Sequence, residues 1–347
     1  MRILEIAPSW IADLVMSQCL YMELKKIHPE AEIDVMAPKW CLDVLRRMPE
    51  VTNAVLMPLG HGVFNLRERY RLGKELGTKH YDMAYILPNS FKSALIPFFA
   101  RIPYRRGWIG ESRYFILSDY RKNKKDFPKL IARYTSLAHT NDEVKNEKDL
   151  KEIPTPKLKT VKPDAETAYS KFSININSPV LGICPGAEFG PTKKWPPEYY
   201  ASIAEKYLSS DSRREVWIFG SNKDVKTAEE LKENIPDNLH DRVHILAGLT
   251  TIEEAIDLLA LCQFVICNDS GLMHVSAAVG VRVIAIFGST STLYTPPTTS
   301  NALLIESDEP CHPCFKKQCR YGTTACLKNL RSEMVWEKIC NKWEDIK

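Results

Sequence analysis

Three segments of this sequence hold side chains suited to proton transfer or to gripping an anion. The first, Ala7-Pro8-Ser9-Trp10-Ile11-Ala12-Asp13, sets a carboxylate just beyond an apolar run and at the start of a helical pattern. A helix N-terminus favours the ionised form of such a group, so Asp13 suits general-base work at neutral pH, although a first-turn aspartate also serves as a plain cap. In the second, Gly182-Ile183-Cys184-Pro185-Gly186-Ala187-Glu188-Phe189-Gly190-Pro191-Thr192-Lys193-Lys194, a Gly- and Pro-punctuated loop bears two lysines ahead of a helix. Exposed backbone amides plus an ammonium are what a diphosphate needs. The third, Asn268-Asp269-Ser270-Gly271-Leu272-Met273-His274, directly follows an apolar run and opens another helix. Asp269, Ser270 and Gly271 fit a cap that leaves amides for a phosphate, with His274 one turn further on; a core histidine is the plainer reading of the last. Phe219-Gly220-Ser221-Asn222-Lys223-Asp224 ends a further strand in the same way.

Two other clusters invite chemistry. Tyr104-Arg105-Arg106-Gly107-Trp108 with Arg113-Tyr114 alternates guanidinium groups and rings, which suits a phosphorylated sugar, single-stranded nucleic acid or a merely solvated edge strand. Cys311, Cys314, Cys319 and Cys326 follow the spacing C-x2-C-x4-C-x6-C. That spacing fits a structural four-thiolate metal site, a reducible disulfide or free thiols, and it is assigned no catalytic role. Cys19, Cys41, Cys184, Cys262 and Cys267 lie inside apolar segments and are expected to be small core residues.

These loops need a scaffold that gathers them, and the sequence supplies one. Short β-rich runs alternate with helical patterns, the signature of parallel strands joined by crossover helices. Strands are expected at 2–7, 32–36, 54–57 and 83–87, with helices at 12–27, 38–47, 66–79 and 129–138. Residues 140–177 lose apolar periodicity and carry many Lys, Asp, Glu and Pro, which predicts an exposed interdomain linker. The alternation restarts with strands at 180–184, 215–219, 243–246, 264–267 and 283–287, and helices at 198–208, 225–234, 252–261, 272–279 and 333–343. A chain of 347 residues exceeds what one core serves. Two doubly wound α/β domains, residues 1–177 and 178–347, facing one another across a cleft, are the simplest architecture.

Composition narrows the function classes. With 44% apolar and 26% charged residues the chain is neither disordered nor fibrous. It has no apolar run of membrane-spanning length and no secretion-type leader pattern at Met1-Arg2-Ile3-Leu4-Glu5, so a cytoplasmic protein is expected. Residues 1–177 hold 29 Lys and Arg against 21 Asp and Glu, and the remainder 18 against 22, so a net charge of +4 divides into +8 and −4. The first half therefore prefers anionic company. No Gly-x-Gly-x-x-Gly follows a strand with an acidic residue about twenty positions on, which argues against a nicotinamide-dependent oxidoreductase.

Six segments in order, Ser9 to Asp13, Val35 to Pro38, Pro58 to Gly62, Leu87 to Ser93, Pro185 to Gly190 and Asn268 to His274, resemble the lipopolysaccharide inner-core heptosyltransferases of glycosyltransferase family 9. The resemblance implies a GT-B fold and an inverting transfer, needing neither metal nor cofactor, of L-glycero-D-manno-heptose from ADP-heptose to the first heptose of the inner core; action at another inner-core position is the alternative. It makes Asp13 the general base, Lys193 a phosphate contact, and Asp269, Ser270, Gly271 and His274 the donor-binding loop. Glu188, Gly220 and Asp224 become candidates for the donor's sugar or nucleoside. His61, Asn89, Lys92, Arg105, Arg106 and Arg113 become candidates for a phosphorylated glycolipid acceptor, met at the cytoplasmic leaflet of the inner membrane. A non-enzymatic glycolipid- or nucleic-acid-binding module would leave the Asp13 turn and the donor loop without a task, and no nucleic-acid partner is expected.

Overall fold

The computed structural model describes residues 1–60 and 62–346. Contacts divide them into two units, Met1–Lys159 and the chain from Thr160 onward.

In the first unit the strands are β1 (Arg2–Ile6), β2 (Glu32–Ala37), β3 (Asn53–Leu56), β4 (Met83–Ile86), β5 (Tyr104–Trp108) and β6 (Asp119–Arg121). They form a six-stranded sheet in the order β3-β2-β1-β4-β5-β6, with every pairing parallel. The second unit has β7 (Val180–Cys184), β8 (Glu215–Ile218), β9 (Val243–Ile245), β10 (Phe264–Asn268), β11 (Arg282–Phe287) and β12 (Ala302–Glu306), again parallel, in the order β12-β11-β10-β7-β8-β9. Counted from its own first strand, the second sheet repeats the order of the first. Each is a doubly wound, Rossmann-like α/β unit, and the α/β expectation holds.

Central strands are buried on both faces, which is why they read as continuous apolar runs. Val180–Cys184 and Phe264–Asn268 are buried at every position. In the first unit, Leu4, Ile6, Ala84 and Ile86 of β1 and β4 pack against Leu72, Leu76, Leu95 and Ile96 of the crossover helices. In the second, Trp195, Tyr200 and Tyr207 fill the space beside Leu181, Ile183 and Phe264. Each order also fixes a switch point, β1 beside β4 and β7 beside β10, where successive crossovers leave in opposite directions. In open α/β sheets the carboxyl ends of the strands at such a switch point are where ligands bind.

The expected linker is corrected in two ways. Residues up to Lys159 strap back onto the first unit: Leu158 is buried, the Lys157 amide donates to Gln18 Oε1 at 2.9 Å, and Gln18 Nε2 donates to the Lys157 carbonyl at 2.8 Å. From Thr160 the chain belongs to the second unit, eighteen residues before the expected boundary at 178. That stretch carries a helix, Ala165–Phe172, whose single buried residue is Ala168, and the Val161 amide donates to Asp257 at 2.7 Å. With no apolar stripe, this helix left no periodic signal in the sequence. The five cysteines expected in the core are all buried. Among the described residues no helix is long and apolar enough to cross a membrane.

Candidate active site

The β7/β10 switch point gathers the lysine loop and the Asn268 to His274 segment. Asn268, fully buried at the end of β10, clamps the two together: its Oδ1 accepts from the Trp195 amide at 3.0 Å and the Tyr200 hydroxyl at 2.9 Å, while its Nδ2 donates to the Pro185 carbonyl at 2.6 Å. Beside it the Lys193 ammonium meets the Asp269 carboxylate at 2.5 Å, and the Thr290 hydroxyl donates to the same Asp269 oxygen at 2.6 Å. Asp269 is thus an anchor for Lys193 instead of the expected helix cap. The helix Gly271–Ala278 begins at Ser270, which places no side-chain hydrogen bond on it, so no side-chain cap occupies its first amides. Lys193 also sits 5.0 Å from the centre of the Phe189 ring.

His274 is buried beneath this pair. Burial, opposed in part by nearby Asp269, pulls its imidazole down to about 4, so it is neutral at physiological pH. Its Nε2 has no partner among the described residues. Asp224 lies where two loops approach: a Cβ on Gly186 would meet its carboxylate at 2.6 Å, and one on Gly220 would meet its Cβ at 2.7 Å. Its Oδ2 accepts from the Ser221 amide at 3.0 Å and hydroxyl at 2.8 Å, closing a capping box, and Lys194 stands 3.7 Å from Oδ1. Asp224 therefore braces the loop, while Glu188 is exposed and ion-paired with Lys223.

The cysteine loop props the same site from behind. The Thr192 hydroxyl donates to the Lys316 carbonyl at 2.6 Å and the Phe315 amide to the Ser289 carbonyl at 2.8 Å, so its contacts fall one residue from Lys193 and from Thr290. Cys311, Cys314, Cys319 and Cys326 line one cavity of about 500 Å³. None is disulfide-bonded, and among the described residues no group of three His, Cys, Asp or Glu side chains is placed to hold a metal ion.

At the β1/β4 switch point of the first unit stands Asp13, partly exposed in the first turn of the helix Ile11–Ile27. The neighbouring loop after β4 carries Asn89, exposed, and Lys92, partly exposed in the short turn Phe91–Ala94. The expected arginines are otherwise engaged. Arg113 is fully buried and donates to the carbonyls of Pro88, Ser90 and Trp108 and to the Ser93 hydroxyl at 2.6 to 3.1 Å; burial lowers it to about 10. Arg106 is buried against Asp119 at 3.3 Å, and Arg105 spends its donors on the carbonyls of Ile102, Pro103 and Ile116. Arg106 and Arg113 thus hold loops in shape and present no guanidinium at the surface. His61 lies outside the described residues. Sequence reasoning missed Thr290 as the second anchor of Asp269 and Asn268 as the clamp; their one signal is position, each at or just past a strand's carboxyl end.

The profile of glycosyltransferase family 9 (heptosyltransferase) matches residues 69–325. The chain belongs to this family. Among family relatives, lipooligosaccharide heptosyltransferase 2 of Haemophilus influenzae is 49% identical over 345 residues, 98% of each chain. Lipopolysaccharide heptosyltransferase 2 of Escherichia coli is 41% identical over 98% of this chain and 97% of its own. The solved structure of E. coli ADP-heptose lps heptosyltransferase II superposes with a TM-score of 0.88 at 38% identity, covering 98% of both chains. This family 9 chain is accordingly a glycosyltransferase, a heptosyltransferase with the paired doubly wound units of the GT-B plan.

Proposed function

We propose that the enzyme moves L-glycero-D-manno-heptose from ADP-heptose onto the first heptose of a phosphorylated lipopolysaccharide inner core, at the cytoplasmic leaflet of the inner membrane. The observation that carries the donor half is the Lys193–Asp269–Thr290 cluster beside the uncapped start of the helix Gly271–Ala278. An ammonium held in place by a buried carboxylate, next to free amides, is built to receive the charge of a diphosphate. A neutral His274 keeps a further positive charge out of this buried corner. The relatives named for heptosyl transfer support the choice of sugar.

In the reaction, the acceptor hydroxyl oxygen attacks the anomeric carbon of the donor. Asp13 takes the hydroxyl proton, the bond from that carbon to the diphosphate oxygen breaks, and ADP leaves with the electron pair. A single displacement inverts the anomeric configuration. Lys193 and the helix amides stabilise the charge that grows on the departing diphosphate, so the chain's own groups meet the electrostatic demand of the step. Asn89 and Lys92, on the loop beside Asp13, face the acceptor in this scheme.

Purified enzyme incubated with ADP-heptose and truncated core acceptors, read by mass, tests the assignment. Gain of one heptose on the acceptor that already bears one heptose, and on no shorter core, is the expected result. Transfer to a heptose-free core instead would move the enzyme one position earlier.

A further inference from the structure

We infer that the first unit docks on anionic lipid through one aromatic, basic face built by the helix Leu66–Gly77 and the short helix Leu95–Phe99. The inference rests on the proposed glycolipid acceptor and specifies which surface meets the bilayer.

The face is contiguous. Gly73 lets the two helices approach so closely that a Cβ there would meet Phe99 Cβ at 2.5 Å. Tyr70 then stacks edge-on against Phe99 at 5.3 Å, and Phe99 against Phe98 at 5.7 Å. Buried Arg69 ties in the rest, donating to the carbonyls of Phe64, Val63 and Lys92 at 2.6 to 3.0 Å. The outward side is apolar where a crossover helix should be polar: Phe64 is 50% exposed, Leu66 48%, Tyr70 49% and Phe98 42%. Leu66, Tyr70 and Lys74, four residues apart, form one stripe.

Charge states what covers this face. Residues 61–108 hold nine Lys and Arg against three Asp and Glu; with Arg69 and Arg106 buried, seven cations against three acids remain at least partly exposed, in a chain whose total charge is +4. Lys74 lies over the ring of Tyr70 at 5.7 Å and Arg105, its donors held by carbonyls, over that of Phe98 at 5.6 Å; Arg67 and Arg101 are exposed nearby, while exposed Arg71 pairs with Glu68 and Glu75. Rings that reach the headgroup level beside cations that meet lipid phosphates are the composition of an interfacial membrane face.

Co-sedimentation of the full chain with phosphatidylglycerol–phosphatidylcholine vesicles, and with phosphatidylcholine vesicles alone, tests the face. The expected result is binding to the anionic vesicles that salt reverses. A Leu66→Gln/Tyr70→Gln variant should lose about tenfold or more in vesicle partition, while its transfer rate to a delipidated acceptor in solution stays unchanged. Lys74→Glu, at an exposed position outside the catalytic machinery, should lose roughly tenfold by charge alone and serves if the double variant fails to fold. Absence of vesicle binding by the natural sequence, or undiminished binding by folded variants, overturns the face. Failure of the heptosyl-transfer reading is a separate outcome: vesicle binding would persist with no transfer to any soluble acceptor.

Discussion

The two units share one strand order and yet finish their switch points differently. In the second, polar side chains are spent on each other: Asn268 clamps three partners, and Asp269 takes both Lys193 and Thr290. The result is a buried, preorganised grip suited to a ligand whose charges are always in the same place. In the first, Arg113 shapes a loop from beneath, while Asn89, Phe91, Tyr114 and Phe115 remain exposed around it. Such loops suit a large and variable ligand. In the proposed reading the same fold provides a rigid donor side and a more open acceptor side, the difference lying in where each unit's polar side chains are directed.

The sharpest way to break this division is at Asp13. Asp13→Asn should lower the transfer rate by about a thousandfold or more, the range of a lost general base, measured by product mass under saturating substrates. Substantial residual turnover would remove the base from the first unit. Lys193→Ala should weaken ADP-heptose binding by roughly ten- to a hundredfold, as expected for lost charge-assisted hydrogen bonds, with transfer falling alongside. An unchanged dissociation constant would deny Lys193 its phosphate. Arg113→Ala should act on the scaffold: stability drops by roughly 2–4 kcal/mol as buried carbonyls lose their donor, while donor affinity holds. Thermal melts and calorimetric titration of the same variant separate the two effects.

A smaller contrast appears in pH. His274 is held at about 4 by burial, below the usual value near 6.5 for the unfolded chain, so its contribution is present above that unfolded value. It is lost as pH falls from about 6.5 toward 4, by up to about 3 kcal/mol. Glu5 of β1 is the opposite case: burial raises its carboxyl well above the usual range, and its hydroxyl-bonded partner Tyr21 lies 2.6 Å away. Its contribution is full below the unfolded carboxylate value and is lost as pH rises through the folded one. Acidification should therefore weaken the second unit through His274 and strengthen the first through Glu5. Calorimetric melts of His274→Leu and Glu5→Gln variants should flatten the two slopes separately. The smallest effect expected is from a chelator, which should leave the transfer rate unchanged in a purified assay.

Much of the fold was legible because buried parallel strands are plain apolar runs: Val180–Cys184 and Phe264–Asn268 need no context to be read. Edges were harder. β6 is three residues long and polar, and β12 follows a stretch rich in Pro, Thr and Ser with three of its five residues partly exposed and Leu304 more so. In the site, Asp13, Lys193 and Asp269 stood out because each follows an apolar strand, at the end of the sheet where open α/β folds present side chains to a ligand. What a side chain bonds to was not legible. Arg106 and Arg113 looked like ligands for an anion and prove to be buried: Arg106 of β5 pairs with Asp119 of the neighbouring β6, and Glu111 and Ser112, both at positive φ, turn the chain just before Arg113. Thr290 carries no mark beyond its place just past the end of β11; its role exists only once β11 lies beside β10.

The division between the units is tested most directly by titrating ADP-heptose into the Asp13→Asn variant by calorimetry. The account predicts a dissociation constant matching that of the natural sequence, since the donor grip belongs to Lys193, Asp269 and Thr290. Loss of donor binding in that variant would contradict it, by showing that the first unit's carboxylate helps to hold the donor.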